Sequence, residues 1–247
     1  MSGQTSDDTL RGYSLNIRQP DQGYRFSLDA LLLAQFARVC PRAVVADMGT
    51  GCGVIPLVLA RMHPDARFTA VESNTDMASL AVENVQANCL EDRIEIIADD
   101  ILTIRSYVPV SSFDLVVSNP PFRSPYSGRV SPHPGRDAAR HETTAGLPDF
   151  MTAAKYLVKP GGRICFIYHP SRLAEFICCA VELKLALLRL RMVHGSMGAG
   201  AKVFLAELAK GRRADVSVEA PLVVRGNDGE YTAEVAQLLG MGENTTT

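Results

Sequence analysis

The chain has 247 residues, 47% hydrophobic and 21% charged, with a net charge of −2 and a pI near 6.2. This is ordinary globular composition and excludes a surface coated in positive charge, so any contact with nucleic acid has to come from a local basic patch. Six cysteines with no CxxC pair and no histidine at zinc spacing read as free thiols in a reducing cytoplasm, with no metal expected, and the longest apolar runs, such as 30–37, are far below the roughly 20 residues of a membrane span.

Residues 1–8 are polar and read as a frayed end, as does the tail 244–247. Apolar runs of strand length at 43–46, 68–71, 94–97, 113–117 and 163–168 then alternate with 53–62, 76–87, 148–157 and 171–183, where apolar residues recur every three or four positions. Strand and helix in alternation predict an α/β fold, a mostly parallel sheet wound with helices on both faces. Past residue 183 the pattern changes. Leu188–Met192 alternates strictly and 202–208 is a second strand with no helix between them, while Gly195, Gly198 and Gly200 supply a turn, so an antiparallel C-terminal hairpin closes the sheet. Arg189 and Arg191 share one face of the first of these strands, which either extends a basic surface or is simply solvated. A last hairpin candidate pairs 222–225 with Tyr231 and Thr232 around Asn227-Asp228-Gly229. The whole reads as one globular unit over 41–240 with an N-terminal appendage over 1–40.

The stretch 44–60, VVADMGTGCGVIPLVLA, is a buried strand, then Asp47, then Gly49, Gly51 and Gly53, then a helix. Glycines remove the Cβ atoms that would hold a ligand off the backbone, and the helix start offers unpaired N–H groups. The spacing is G-x-G-x-G and an acid precedes it, which suits an amino-acid ammonium better than a pyrophosphate. Glu72 ends the second strand about 20 residues on, where a carboxylate reaches ribose hydroxyls in doubly wound folds. Asp99 and Asp100 end the third. Taken singly, Glu72 and Asp100 read equally well as caps for helices beginning at Asn74 and Ile101; as a set after a glycine loop they read as ligand groups. The fourth strand, FDLVV, runs into Asn119-Pro120-Pro121-Phe122, a stiff exit in which two prolines donate no ladder hydrogen bonds and hold the chain extended.

Asp47 to Gly53, Glu72, Asp100 and Asn119 to Phe122, in that order, resemble the motifs of class I S-adenosylmethionine-dependent methyltransferases. The resemblance covers roughly residues 20–235 and implies a Rossmann-like, doubly wound seven-stranded sheet. It also implies that the glycine loop holds the methionine part of S-adenosylmethionine, with Asp47 behind its ammonium, Glu72 on the ribose and Asp100 at the adenine amine. Asn119-Pro120-Pro121-Phe122 resembles the motif of enzymes that methylate planar nitrogens. Such a nitrogen has its lone pair delocalised and needs acceptors for its protons. The likeness assigns these to the Asn119 side-chain oxygen and the Pro120 carbonyl, with Phe122 as a stacking face for a splayed base.

The stretch 18–37, RQPDQGYRFSLDALLLAQFA, resembles the N-terminal segment of tRNA adenine-N6 methyltransferases acting on a valine tRNA beside its anticodon. In that likeness Tyr24, Arg25, Phe26 and Ser27 lid the cofactor; Tyr24 and Phe26 also read as core residues, and Ser27 as an N-cap for the following helix. AARHE (138–142) and GEYTAEV (229–235) resemble the same family. Arg123, Arg129, Arg136 and Arg140 gather positive charge directly after the motif, as phosphate contacts or as a solvated loop. The expectation is a cytoplasmic RNA N6-adenine methyltransferase whose partner is RNA, with tRNA as the leading substrate, no membrane and no metal. The rival readings are guanine-N2 methylation of ribosomal RNA, glutamine-N5 methylation of a protein, and a non-catalytic RNA-binding module.

Overall fold

The computed structural model describes residues 5–20, 28–121 and 145–241. It opens on a hairpin, β1 (Thr5–Leu10) and β2 (Leu15–Pro20), in which every residue of β1 has an antiparallel partner. The end read as frayed is therefore a strand from Thr5 onward, because β2 supplies its backbone partners while Leu15 and Ile17 anchor β2 in the core. The helix α1 (Leu28–Phe36) follows, and six of its nine residues are buried, as expected for a helix wrapped by protein on most sides.

Next come β3 (Val44–Met48), α2 (Val54–Met62), β4 (Arg67–Glu72), α3 (Thr75–Ala87), β5 (Ile94–Ala98), β6 (Phe113–Ser118), α4 (Leu147–Leu157), β7 (Val158–Tyr168) and α5 (Leu173–Glu182), the alternation that the periodicity predicts. A 3-10 segment at Ile101–Ser106 lies between β5 and β6. The pair β8 (Leu185–Ser196) and β9 (Ala201–Lys210) is antiparallel, and β9 inserts between β7 and β8. The long strands run β8-β9-β7-β6-β3-β4-β5, so the chain winds outward in both directions from β3 and β6. Two short strands, β10 (Ser217–Val218) and β11 (Leu222–Arg225), extend the expected seven to nine. Both lie parallel along the outer edge of β8 and cover backbone that would otherwise be an open edge. The chain then turns through the Arg225–Tyr231 bridge into α6 (Ala233–Leu238).

Alternation along the strands divides the interior into two cores. Val45, Leu115, Val117, Cys165 and Ile167 face the hairpin, α1, α2 and α3. Ala46, Val116, Ile164, Phe166 and Tyr168 face α4 and α5, where Phe176 meets Phe166 and Phe204 edge-on at 5.7 and 5.2 Å.

The hairpin is held by side chains acting as a strand. Asn84 and Asn88, four residues apart on α3, are both buried. Asn84 Oδ1 accepts from Arg18 N at 2.7 Å and its Nδ2 donates to Arg18 O at 2.8 Å; Asn88 does the same to Asn16 at 3.0 and 2.7 Å. One helical turn thus matches two alternate residues of β2, and each amide satisfies both backbone groups of its partner. Asn84 Nδ2 also donates to Cys52 O, 2.9 Å away in the glycine loop, so one side chain joins hairpin and loop.

Arg189 and Arg191 are neither solvated nor part of a basic surface. Arg189 is buried over the Phe36 ring at 4.0 Å, donates to Glu207 at 2.6 Å, to Glu219 at 2.9 Å and to Phe36 O at 2.8 Å, and shares Glu207 with Arg163. Arg191 pairs with Glu234 at 2.7 Å. Both charges are spent on tying α1 and α6 to the antiparallel edge. Among the described residues no helix is long and apolar enough to cross a membrane, and no group of three or more His, Cys, Asp or Glu could hold a metal ion.

Candidate active site

Where β3, β4, β5 and β6 end, their exit loops surround a cavity of about 350 Å³, within the range of small-molecule sites. Gly49, Gly51, Glu72, Asp100, Asn119 and Pro120, all singled out by the sequence, line it together. The C-terminal edge of a parallel sheet, beside the point where strand order reverses, is where doubly wound folds bind ligands.

The glycine loop is fixed from below by β4. Gly49 and Thr50 both donate to Val71 O, at 2.9 and 3.1 Å. Three glycines follow with positive φ: Gly49 at 71°, Gly51 at 59° and Gly53 at 85°. At Gly49 and Gly51 the positive φ is the reason for glycine, whereas at Gly53 a Cβ would also stand 3.3 Å from Ala81 Cβ, so Gly53 lets the start of α2 approach α3.

Glu72 organises the loop as well as facing the cavity. One carboxylate oxygen accepts from Gly51 N at 2.8 Å and the other from Asn74 N at 2.9 Å. Asn74 in turn caps α3 by accepting from Met77 N at 3.0 Å, so the cap is Asn74 itself. Asp100 caps the 3-10 segment through Leu102 N at 3.0 Å while lining the cavity; its cap role and its place in the site coexist. Asp99 is not in the wall. Its Oδ1 accepts from Asp100 N and Thr103 Oγ1 at 2.7 and 3.0 Å, which holds the turn. At the end of β6, Ser118 Oγ donates to Met48 O at 2.7 Å and locks the exit of β6 to that of β3, immediately before Asn119-Pro120-Pro121.

Asp47 and Gly53 are not in the wall. Asp47 is 2% exposed and neither of its oxygens has a hydrogen-bond partner. Burial, reinforced by the Glu72 charge and only partly offset by the neighbouring Thr50 hydroxyl, raises its pKa from 3.8 to about 7. A carboxyl whose folded pKa lies above its unfolded one stabilises the fold fully below the unfolded value. That contribution is lost as pH rises from 3.8 to about 7. Its full size is on the order of 4 kcal/mol. Asp47→Asn should therefore flatten the dependence of the thermal midpoint on pH between 4 and 7 in ligand-free protein. A variant whose midpoint tracks the wild type across that window would remove Asp47 as the buried titrating group.

Several lining residues carry no signal in the sequence. Asp29, in the first turn of α1, together with Val71, Ser73, Met77, Ile101 and Phe150 also line the wall, beside Asn74 and Pro121. Ser73 and Met77 follow Glu72 closely, and Asp29 follows Ser27, so these could have been found by proximity in the chain; Phe150 reaches the site through tertiary packing alone. Tyr24, Phe26, Ser27, Phe122, Arg123, Arg129, Arg136 and Arg140 lie outside the described residues.

The profile of the methyltransferase small domain matches residues 19–177, which take in every described wall residue. The chain belongs to the methyltransferase small domain family. The tRNA1(Val) (adenine(37)-N6)-methyltransferase of Porphyromonas gingivalis strain ATCC 33277 is 32% identical to this chain over 234 residues, covering 90% of each chain. The protein of that name from Aeromonas hydrophila is 30% identical over 211 residues, covering 85% of this chain and 86% of its own. Among solved structures, a predicted O-methyltransferase from Agrobacterium tumefaciens superposes with a TM-score of 0.71 at 23% identity, covering 85% of this chain and 95% of its own. TrmN from Thermus thermophilus superposes with a TM-score of 0.54 at 23% identity, covering 73% and 48%. These two likenesses establish the shared fold. As a member of the methyltransferase small domain family, the protein is an S-adenosylmethionine-dependent methyltransferase, and the cavity at the carboxyl edge of its sheet is its candidate active site.

Proposed function

We propose that the protein methylates N6 of an adenine in tRNA, a valine tRNA next to its anticodon, with S-adenosylmethionine as donor. The observation that carries this reading is the opening of Asn119 and Pro120 into the same cavity as Glu72 and Asp100. The cavity fits the donor's chemistry. Glu72 offers two acceptors for ribose hydroxyls, and Val71, Met77 and Ile101 provide an apolar slot beside Asp100 for a purine whose amine the carboxylate accepts. S-adenosylmethionine, when bound, supplies an activated methyl on a sulfonium, so the chain needs no nucleophile of its own.

The task left to the protein is positioning. An adenine N6 has two protons and a lone pair drawn into the ring. The Asn119 side-chain oxygen and the Pro120 carbonyl accept from those protons and return electron density to nitrogen. Ser118 bonded to Met48 O and the proline pair keep these two acceptors from moving, which is where the rate gain of orientation comes from. Phe122 is the proposed stacking face, Tyr24, Phe26 and Ser27 the proposed lid, and Arg123, Arg129, Arg136 and Arg140 the proposed phosphate contacts. The names of the relatives agree with this substrate, and a cytoplasmic setting is proposed with it.

The test is transfer of labelled methyl to unmodified total tRNA, followed by digestion to nucleosides. The expected product is N6-methyladenosine in one tRNA species. Label appearing instead in ribosomal RNA or in protein would overturn the substrate.

A further inference from the structure

The end of the sheet away from the cavity carries positive charge that no carboxylate among the described residues neutralises, apart from one pair. Lys155 is in the last turn of α4, Lys159 near the start of β7, Lys184 just before β8 and Lys210 at the end of β9, with Arg212 and Arg213 following. Leu185 stands opposite Lys210 in the antiparallel register, which makes Lys184 and Lys210 neighbours. Lys210 Nζ donates to Val158 O at 2.9 Å and to Ser111 Oγ at 3.1 Å, which binds it to the starts of β7 and β6. Lys159 pairs with Asp114 at 2.6 Å. Glu182 and Asp215 lie two residues from Lys184 and Arg213 in the sequence, and among the described residues neither is found in an ion pair with these cations. Burial and the proximity of Lys155 both lower the Lys210 pKa, as clustered like charges do.

This surface is joined to the site by α4. Phe150 forms part of the cavity wall near the start of α4, and Lys155 lies near its far end. Pro148 and Thr152 are exposed and Lys155 half-buried, at four- and three-residue spacing along one stripe. The one acid nearby, Asp149, is turned back to accept from Gly146 N at 2.8 Å. At about 3.3 Å per residue, the six residues of β6 separate the two ends by about 20 Å.

We propose that this basic surface holds backbone phosphates of the same RNA whose adenine enters the cavity, in a stem distant from the target base. The inference rests on the RNA reading of the site. Such contacts carry no sequence information; they fix orientation and strengthen binding by releasing counterions. In a protein of net charge −2 they would also direct a polyanion to one side of the molecule.

The test compares wild type with a Lys155→Gln, Lys184→Gln, Arg212→Gln, Arg213→Gln variant, which leaves the internally bonded Lys159 and Lys210 intact. Binding of full-length unmodified valine tRNA and of its isolated anticodon stem-loop is measured across a salt series, with thermal unfolding as a check on the fold. Affinity for full-length tRNA should fall about tenfold, with a shallower slope of log K against log salt, while the stem-loop changes by less than about twofold. An unchanged salt slope on full-length tRNA would overturn the surface, as would equal losses on both RNAs, which would mark a general field effect. Methyl transfer by wild type is assayed in parallel. If wild type methylates no tRNA, the RNA reading falls and this surface with it; if it methylates tRNA and the variant binds like wild type, the surface alone is rejected.

Discussion

Replacing Asn119 by alanine should slow methyl transfer to RNA by about 10²–10³-fold while leaving cofactor affinity within about threefold of wild type, because the lost acceptor acts on charge that develops during transfer. The side chain stands at the end of β6 in a frame held by Ser118 and two prolines, so the substitution removes a functional group without loosening its support. Asn119→Asp keeps an oxygen acceptor and should recover part of the activity, which separates hydrogen-bond acceptance from simple packing. Single-turnover rates at saturating cofactor and RNA would measure the effect, with cofactor affinity taken by calorimetry. Loss of cofactor binding in parallel with activity would move Asn119 from the reacting nitrogen to the cofactor.

The second large effect is expected at Glu72. Its two oxygens are committed to Gly51 N and Asn74 N, at 2.8 and 2.9 Å, and bonds of this charged kind are each worth about 1.5–3 kcal/mol. Glu72→Gln keeps the shape but turns an amide toward one of two N–H donors. Cofactor affinity should fall by about 100-fold, since the proposed ribose acceptor and the loop geometry fail together. The thermal midpoint should fall as well, so affinity has to be measured well below it. An affinity within a few-fold of wild type at such a temperature would show that neither a Glu72 contact to the ligand nor the loop geometry it holds governs cofactor binding.

The sequence shows these residues unevenly, for physical reasons. Strand and helix positions are legible because period two and period 3.6 are local, and the order of glycine loop, Glu72, Asp100 and Asn119 along the chain becomes one cavity wall through the topology of a parallel sheet. The cap and ligand readings of Asp100 looked like alternatives in the sequence, whereas one carboxylate has room for both. Phe150 was invisible because no periodicity marks a side chain that arrives across the fold. Arg189 misled for a related reason: alternation placed it on a polar face, but its partners Glu207, Glu219 and Phe36 come from three other segments and bury it. The polar N-terminus looked frayed because its strand pairs only with β2, and β2 is itself clasped by two asparagines some 70 residues further along the chain.

That dependence sets a timetable for folding during synthesis. The backbone of β2 at Asn16 and Arg18 is satisfied by Asn88 and Asn84, 72 and 66 residues later. At about 5–20 residues per second, roughly 3–14 s pass between the emergence of β2 and that of its clasp. For that interval the hairpin is a nascent element with an open edge. The same asparagine that closes it also donates to Cys52 O in the glycine loop, so neither the clasp on β2 nor this bond to the loop can form before residue 84 has emerged from the ribosome.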